Sequence, residues 1–136
     1  MTITMTNPEG PRNQSKYFSQ SAKVESTAST TIYVSGQVGM NAEGNIPGEG
    51  DLAAQSDQVF ANLVAALEAA GAKATDVVKT NVFIVDITPE KLAPISIAMK
   101  KYFTQDPMPA STWVGVTGLV DPRLLLEVEA TAIIEM

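Results

Sequence analysis

Leu124-Leu125-Leu126-Glu127-Val128-Glu129-Ala130-Thr131-Ala132-Ile133-Ile134 reads as a β-strand with two unlike faces. At a period of two, Leu124, Leu126, Val128, Ala130 and Ala132 fall on one side, and Leu125, Glu127, Glu129, Thr131 and Ile133 on the other. Working back along the chain, Trp113 to Leu119 reads as the preceding strand. Pro107 and Pro109 close a helix whose first turn holds Pro89 and whose stripe is Leu92, Ile95, Met99 and Phe103. Val77 to Val85 is a largely apolar strand. Before it, Leu52, Val59, Phe60, Leu63, Val64 and Leu67 recur at helical spacing, with Asp51 placed to cap the start and Gly71 to end the helix in the left-handed conformation. Asn41 to Gly50 carries Gly44, Pro47, Gly48 and Gly50 and must be a loop. Thr31 to Val38 is rich in β-formers, and a first strand is expected to begin near Tyr17.

The expected order is β-β-α-β-α-β-β, an α+β domain over 16–136 with both helices on one sheet face. Residues 1–15 are polar, carry Pro8, Gly10 and Pro11, and are expected to form a flexible N-terminal arm. Val34, Val82, Ile84, Val114, Val116, Leu125 and Ile133 exceed what a one-sided core holds, so the second sheet face is expected to be covered by other subunits.

The 136 residues suit one domain, and 45% hydrophobic content excludes a disordered chain. No apolar run reaches the roughly 18 to 20 residues of a membrane-spanning helix, so no membrane partner is expected. Met1 to Gln14 lacks the basic start and apolar stretch of a secretory signal, and a cytoplasmic location is expected. There is no cysteine, which excludes disulfides, thiol catalysis and cysteine-ligated metals. There is no histidine, so a Ser-His-Asp arrangement cannot be built and acid–base work falls to Asp, Glu, Lys, Tyr or water. The net charge is −6, and Arg12 and Arg123 are the two arginines; this disfavours nucleic acid as a partner. No set of carboxylates has a familiar metal-ligand spacing, and Gly44 to Gly50 lacks the lysine of a phosphate loop. No metal or cofactor is expected.

Three stretches carry possible chemistry. Glu127 and Glu129 share a strand face: either a solvated or interface face, or a carboxylate that activates water in a cleft. Ser35-Gly36 is either a strand bulge or a point where backbone approaches a ligand. Pro109-Ala110-Ser111-Thr112-Trp113 is either a helix-to-strand turn with a packed indole, or hydroxyls and an aromatic wall lining a pocket.

Taken in order, Tyr33-Val34-Ser35-Gly36-Gln37-Val38, Ala69-Ala70-Gly71-Ala72, Asp76-Val77-Val78-Lys79-Thr80-Asn81-Val82-Phe83, Pro109-Ala110-Ser111-Thr112 and Leu126-Glu127-Val128-Glu129-Ala130-Thr131-Ala132 resemble the RidA/YjgF family of enamine/imine deaminases over residues 17–134. The resemblance implies a chorismate-mutase-like fold, a homotrimer with ligand clefts between subunits, and cofactor-free hydrolysis of small reactive enamines or imines to a carbonyl compound and ammonia. This is the activity of a 2-iminobutanoate/2-iminopropanoate deaminase, a hydrolase acting on C–N bonds. It maps the cleft glutamate onto Glu127, which would position water, and the strand-end serine onto Ser35, with Gly36 adding backbone contacts. The family's carboxylate-binding arginine falls on Ser111, so the chain resembles the divergent subgroup that lacks it. Trp113 follows on the same strand. The family's N-terminal tyrosine falls on Phe18, or on Tyr17 with a slip of one, and Arg123 is the remaining candidate for a substrate-binding cation. The alternative function is a trimeric protein of the same fold that binds a small metabolite without turnover.

Overall fold

The computed structural model describes residues 1–13, 15–16 and 19–135. Eight main elements follow one another: β1 (Thr2–Thr6), β2 (Ser21–Glu25), β3 (Ser29–Val38), α1 (Leu52–Ala69), β4 (Val77–Val85), α2 (Leu92–Tyr102), β5 (Ala110–Val116) and β6 (Leu126–Glu135). The strands form one sheet in the order β1-β2-β3-β6-β4-β5. All pairings are antiparallel except β4 with β5, which α2 joins as a crossover. The last strand in sequence therefore lies at the centre, between β3 and β4.

Alternation along β6 is as expected. Leu126, Val128, Ala130 and Ala132 are buried, while Glu127, Glu129 and Thr131 are half-buried on the other side. The buried side joins Ile32 and Val34 of β3 and Val82 and Ile84 of β4. Val59, Phe60, Leu63 and Leu67 of α1 and Ile95 and Met99 of α2 close over them, so both helices cover one face. Phe103, just past α2, meets Phe60 edge-on with ring centroids 5.6 Å apart.

Helix ends follow local chemistry. The Asp51 carboxylate accepts the Ala54 N–H at 3.1 Å. Gly71 takes φ +89, and Ala72 N–H returns to the Leu67 carbonyl at 2.9 Å, which stops α1. Leu92, expected on the buried stripe of α2, is instead exposed, at the first residue of the helix after a 3-10 turn over Pro89–Lys91.

Three expectations need correction. Thr2–Thr6, inside the stretch read as an arm, forms the edge strand β1. Its pairing partner is fifteen or more residues away, so its local polarity concealed it. The order is thus β-β-β-α-β-α-β-β, and the strand expected near Tyr17 begins at Ser21. Of the seven apolar side chains taken as excess, Val34, Val82 and Ile84 lie in the helix-side core. Tyr33, Val114 and Ile133 remain exposed on the open face, and Ile3 and Met5 of β1 are exposed as well.

Candidate active site

β3 changes register against β6 between Val34 and Gln37, which makes a bulge at Ser35-Gly36. The bulge brings Gly36 against the Glu127 side chain. A Cβ at Gly36 would lie 2.7 Å from Glu127 Cδ and 2.9 Å from its Oε2, so only glycine leaves room for the carboxyl group where it stands. Ser35 is fixed from both ends. Its N–H donates to the Gln20 carbonyl at 2.9 Å and its hydroxyl to the Ser19 carbonyl at 2.8 Å. Gln37 Nε2 donates back to the Ser35 carbonyl at 3.0 Å.

Beside this bulge lies a cleft of about 520 Å3 lined by Ser35, Gly36, Met40, Asn62, Val120 and Glu127, among others. Its walls are held by buried amides of α1. Asn62 Nδ2 donates to the carbonyls of Val38 and Met40 at 2.9 and 2.8 Å, and Gln58 holds the Asn62 Oδ1 at 2.8 Å. Gln55, fully buried, donates to the Arg123 carbonyl and accepts the Leu125 N–H, both at 2.9 Å. Those two bonds pin the backbone immediately before β6 and so set where Glu127 begins its approach to Gly36. Gln55 and Asn62 are seven residues apart, on one face of the helix. Sequence reasoning missed both; the available signal was two amides interrupting an apolar stripe, where a buried amide needs partners.

Glu127 pairs across the sheet with Val38 and Phe83. Burial pushes its carboxyl pKa up, and repulsion from Glu129 adds to the rise. Among the described residues no donor hydrogen-bonds to the Glu127 carboxylate. A half-buried carboxylate beside an open cleft, with its pKa raised and no hydrogen-bond donor on it among the described residues, has the attributes of a proton acceptor.

The other sequence candidates are not gathered in this cleft. Ser111 and Trp113 pair with the buried Thr80 and Val82, which places them on the helix side of the sheet, opposite Glu127. The Ser111 hydroxyl is shared with Thr80 Oγ1 at 2.7 Å and accepts Trp113 Nε1–H at 2.8 Å. Arg123 turns its guanidinium onto Asp121, with Nε and Nη2 at 3.0 and 2.9 Å. That fork, with the Arg123 backbone N–H, holds the Asp121 pKa down to about 2. Tyr17 and Phe18 lie outside the described residues. Among the described residues, no group of three or more metal-ligating side chains is assembled, and no helix is long and apolar enough to cross a membrane.

Known proteins resemble this chain in sequence and in fold. A Dermatophagoides farinae protein named 2-iminobutanoate/2-iminopropanoate deaminase is 40% identical over 105 residues, 77% of this chain and 79% of its own. The Escherichia coli K12 protein of the same name is 37% identical over 106 residues, 75% of this chain and 78% of its own. The crystal structure of YyfB, a Yersinia pestis protein of unknown function in the conserved Rid protein family, superposes with a TM-score of 0.74 at 36% identity, covering 98% of this chain and 100% of that one. The family profile described as Endoribonuclease L-PSP matches residues 12–134, and with these relatives it shows that the chain belongs to that family, the YjgF/Rid proteins.

Proposed function

We propose that the protein hydrolyses a small reactive imine or enamine to a carbonyl compound and ammonia, with Glu127 as the general base. The observation that carries this is the unpaired Glu127 carboxylate held against Gly36 at the cleft. In the proposed reaction Glu127 takes a proton from water as the water oxygen attacks the imine carbon. The C=N π electrons move to nitrogen, which takes that proton back from Glu127 to give a carbinolamine and restore the carboxylate. The C–N bond then breaks, ammonia leaves, and the hydroxyl proton returns through Glu127, so that one imine and one water become one carbonyl compound and one ammonia. Ser35 and the Gly36 backbone border the reacting atoms. The deaminase names of relatives at 40% and 37% identity support the same chemistry.

The proposal includes a homotrimer acting in the cytoplasm. Tyr33, Val114 and Ile133, left exposed on the open sheet face, are the surface it would cover. In such an assembly the cleft lies between subunits, and Ser111 and Trp113, on the exposed edge strand β5, would belong to a neighbour's cleft. Tyr17 or Phe18 would supply an aromatic wall.

A second reading is a trimer that binds a metabolite without turnover. It is favoured by Ser111, whose hydroxyl is already engaged by Thr80 and Trp113 and supplies no cationic grip. The test generates an imine in situ with an oxidase and follows carbonyl release above the spontaneous rate. Acceleration lost in Glu127→Gln supports hydrolysis. Saturable binding with no acceleration supports the second reading.

A further inference from the structure

The hydrogen bonds around Glu127 limit what the cleft can hold. Asn62 spends both amide N–H groups on the carbonyls of Val38 and Met40. The Ser35 hydroxyl proton goes to the Ser19 carbonyl, and Gln37 Nε2 turns to the Ser35 carbonyl. Asn41 accepts two backbone N–H groups of its own turn through Oδ1, leaving a neutral amide donor. No lysine or arginine is among the described residues lining the cleft. Arg123, at the turn before β6, is committed to Asp121. Against this stand the Glu127 carboxylate and, two residues along the same face, Glu129, whose charge already reaches Glu127. The remaining lining is the buried, uncharged amide of Gln20 and the aliphatic Val38, Met40 and exposed Val120.

A carboxylate ligand entering this space finds negative charge, no cation, neutral amides and methyl groups. A neutral or protonated imine finds an acceptor for its N–H and apolar walls for its substituents. We infer that the cleft selects alkyl-substituted imines and enamines that carry no carboxylate, as would be released by oxidation of simple amines, over 2-imino acids. This inference rests on the deaminase reading and narrows its substrate class.

The experiment supplies two imines to the full-length protein. Flavin amine oxidase acting on butylamine makes the uncharged type, and amino-acid oxidase acting on alanine makes 2-iminopropanoate. Semicarbazide trapping measures how long each survives. The uncharged imine is expected to be hydrolysed at least about tenfold faster in kcat/KM. Faster hydrolysis of 2-iminopropanoate overturns the inference and leaves the deaminase reading standing. Hydrolysis of neither refutes the deaminase reading, and competition between acetamidine and propionate then decides the charge preference, with tighter propionate binding overturning the inference. A second variant tests the cause. Val120→Lys adds a cation at the exposed mouth, where the fold is not at risk. It should raise the 2-iminopropanoate rate relative to the uncharged imine at least about fivefold at low ionic strength, an effect fading near 1 M salt. An unchanged ratio places the selection outside this cleft and overturns the inference.

Discussion

Gly36→Ala separates the position of Glu127 from its mere presence. The added methyl would sit 2.7 Å from Glu127 Cδ and 2.9 Å from Oε2, and the carboxyl group must withdraw by about 0.7 Å to reach ordinary contact. The atoms displaced are the end of a flexible side chain, so the backbone bulge can stay. Gly36 has no positive φ, and alanine there gains about 0.4 to 1 kcal/mol by restricting the unfolded chain. That gain offsets part of the crowding, and Tm should move by only a few degrees. Activity should not be spared. A misplacement near 1 Å at a reacting group costs about a hundredfold, which is about 2.7 kcal/mol of transition-state stabilisation. The assay is kcat/KM for imine hydrolysis, with thermal unfolding and light scattering run alongside. Wild-type kcat/KM in a folded Gly36→Ala protein would refute the assignment of Glu127 as a positioned base. A large loss of Tm with the rate per folded molecule unchanged would show that the glycine serves packing alone.

Other expectations follow from the same geometry. Glu129→Gln removes the repulsion that helps raise the Glu127 pKa; since the base works ionised, the acid limb of the pH–rate profile should move to lower pH, and a shift upward would contradict the stated cause. Folding stability carries the same sign: the folded state holds the Glu127 proton to higher pH than the unfolded chain, so this group's contribution falls as pH rises from the usual carboxylate range through the raised value, and Glu127→Gln should flatten that part of a Tm–pH curve. Gln55→Leu leaves the Arg123 carbonyl and the Leu125 N–H without their buried partner; unfolding by urea should show a loss of about 2 to 4 kcal/mol, and a neutral result would remove Gln55 from the account of how β6 is held. Light scattering at micromolar concentration should give the mass of three chains, and a stable monomer would remove the proposed interface cleft.

Period-two alternation from Leu124 to Ile134, the helical stripes through Val59–Leu67 and Ile95–Phe103, the Asp51 cap and the Gly71 stop were all legible in the sequence. Each is local: a strand, a helix and its ends depend on residues a few positions apart, and the apolar faces they generate can pack in few ways. The motif order from Tyr33 to Ala132 was legible too and pointed to the family. Other features needed the chain to meet itself. Thr2–Thr6 becomes a strand only because Ser21–Glu25 is there to pair with it. Ser111 and Trp113 stand on the helix side, away from Glu127, because β5 aligns Ser111 with Thr80, a register that side-chain alternation alone leaves free. Gln55 reaches the backbone at Arg123 and Leu125, 68 and 70 residues away. Sequence marked Gly36 and Glu127 as separate weak signals. Tertiary structure made them one, because a single extra residue in β3 turns the backbone onto a carboxylate from the far end of the chain, and no local pattern records that distance.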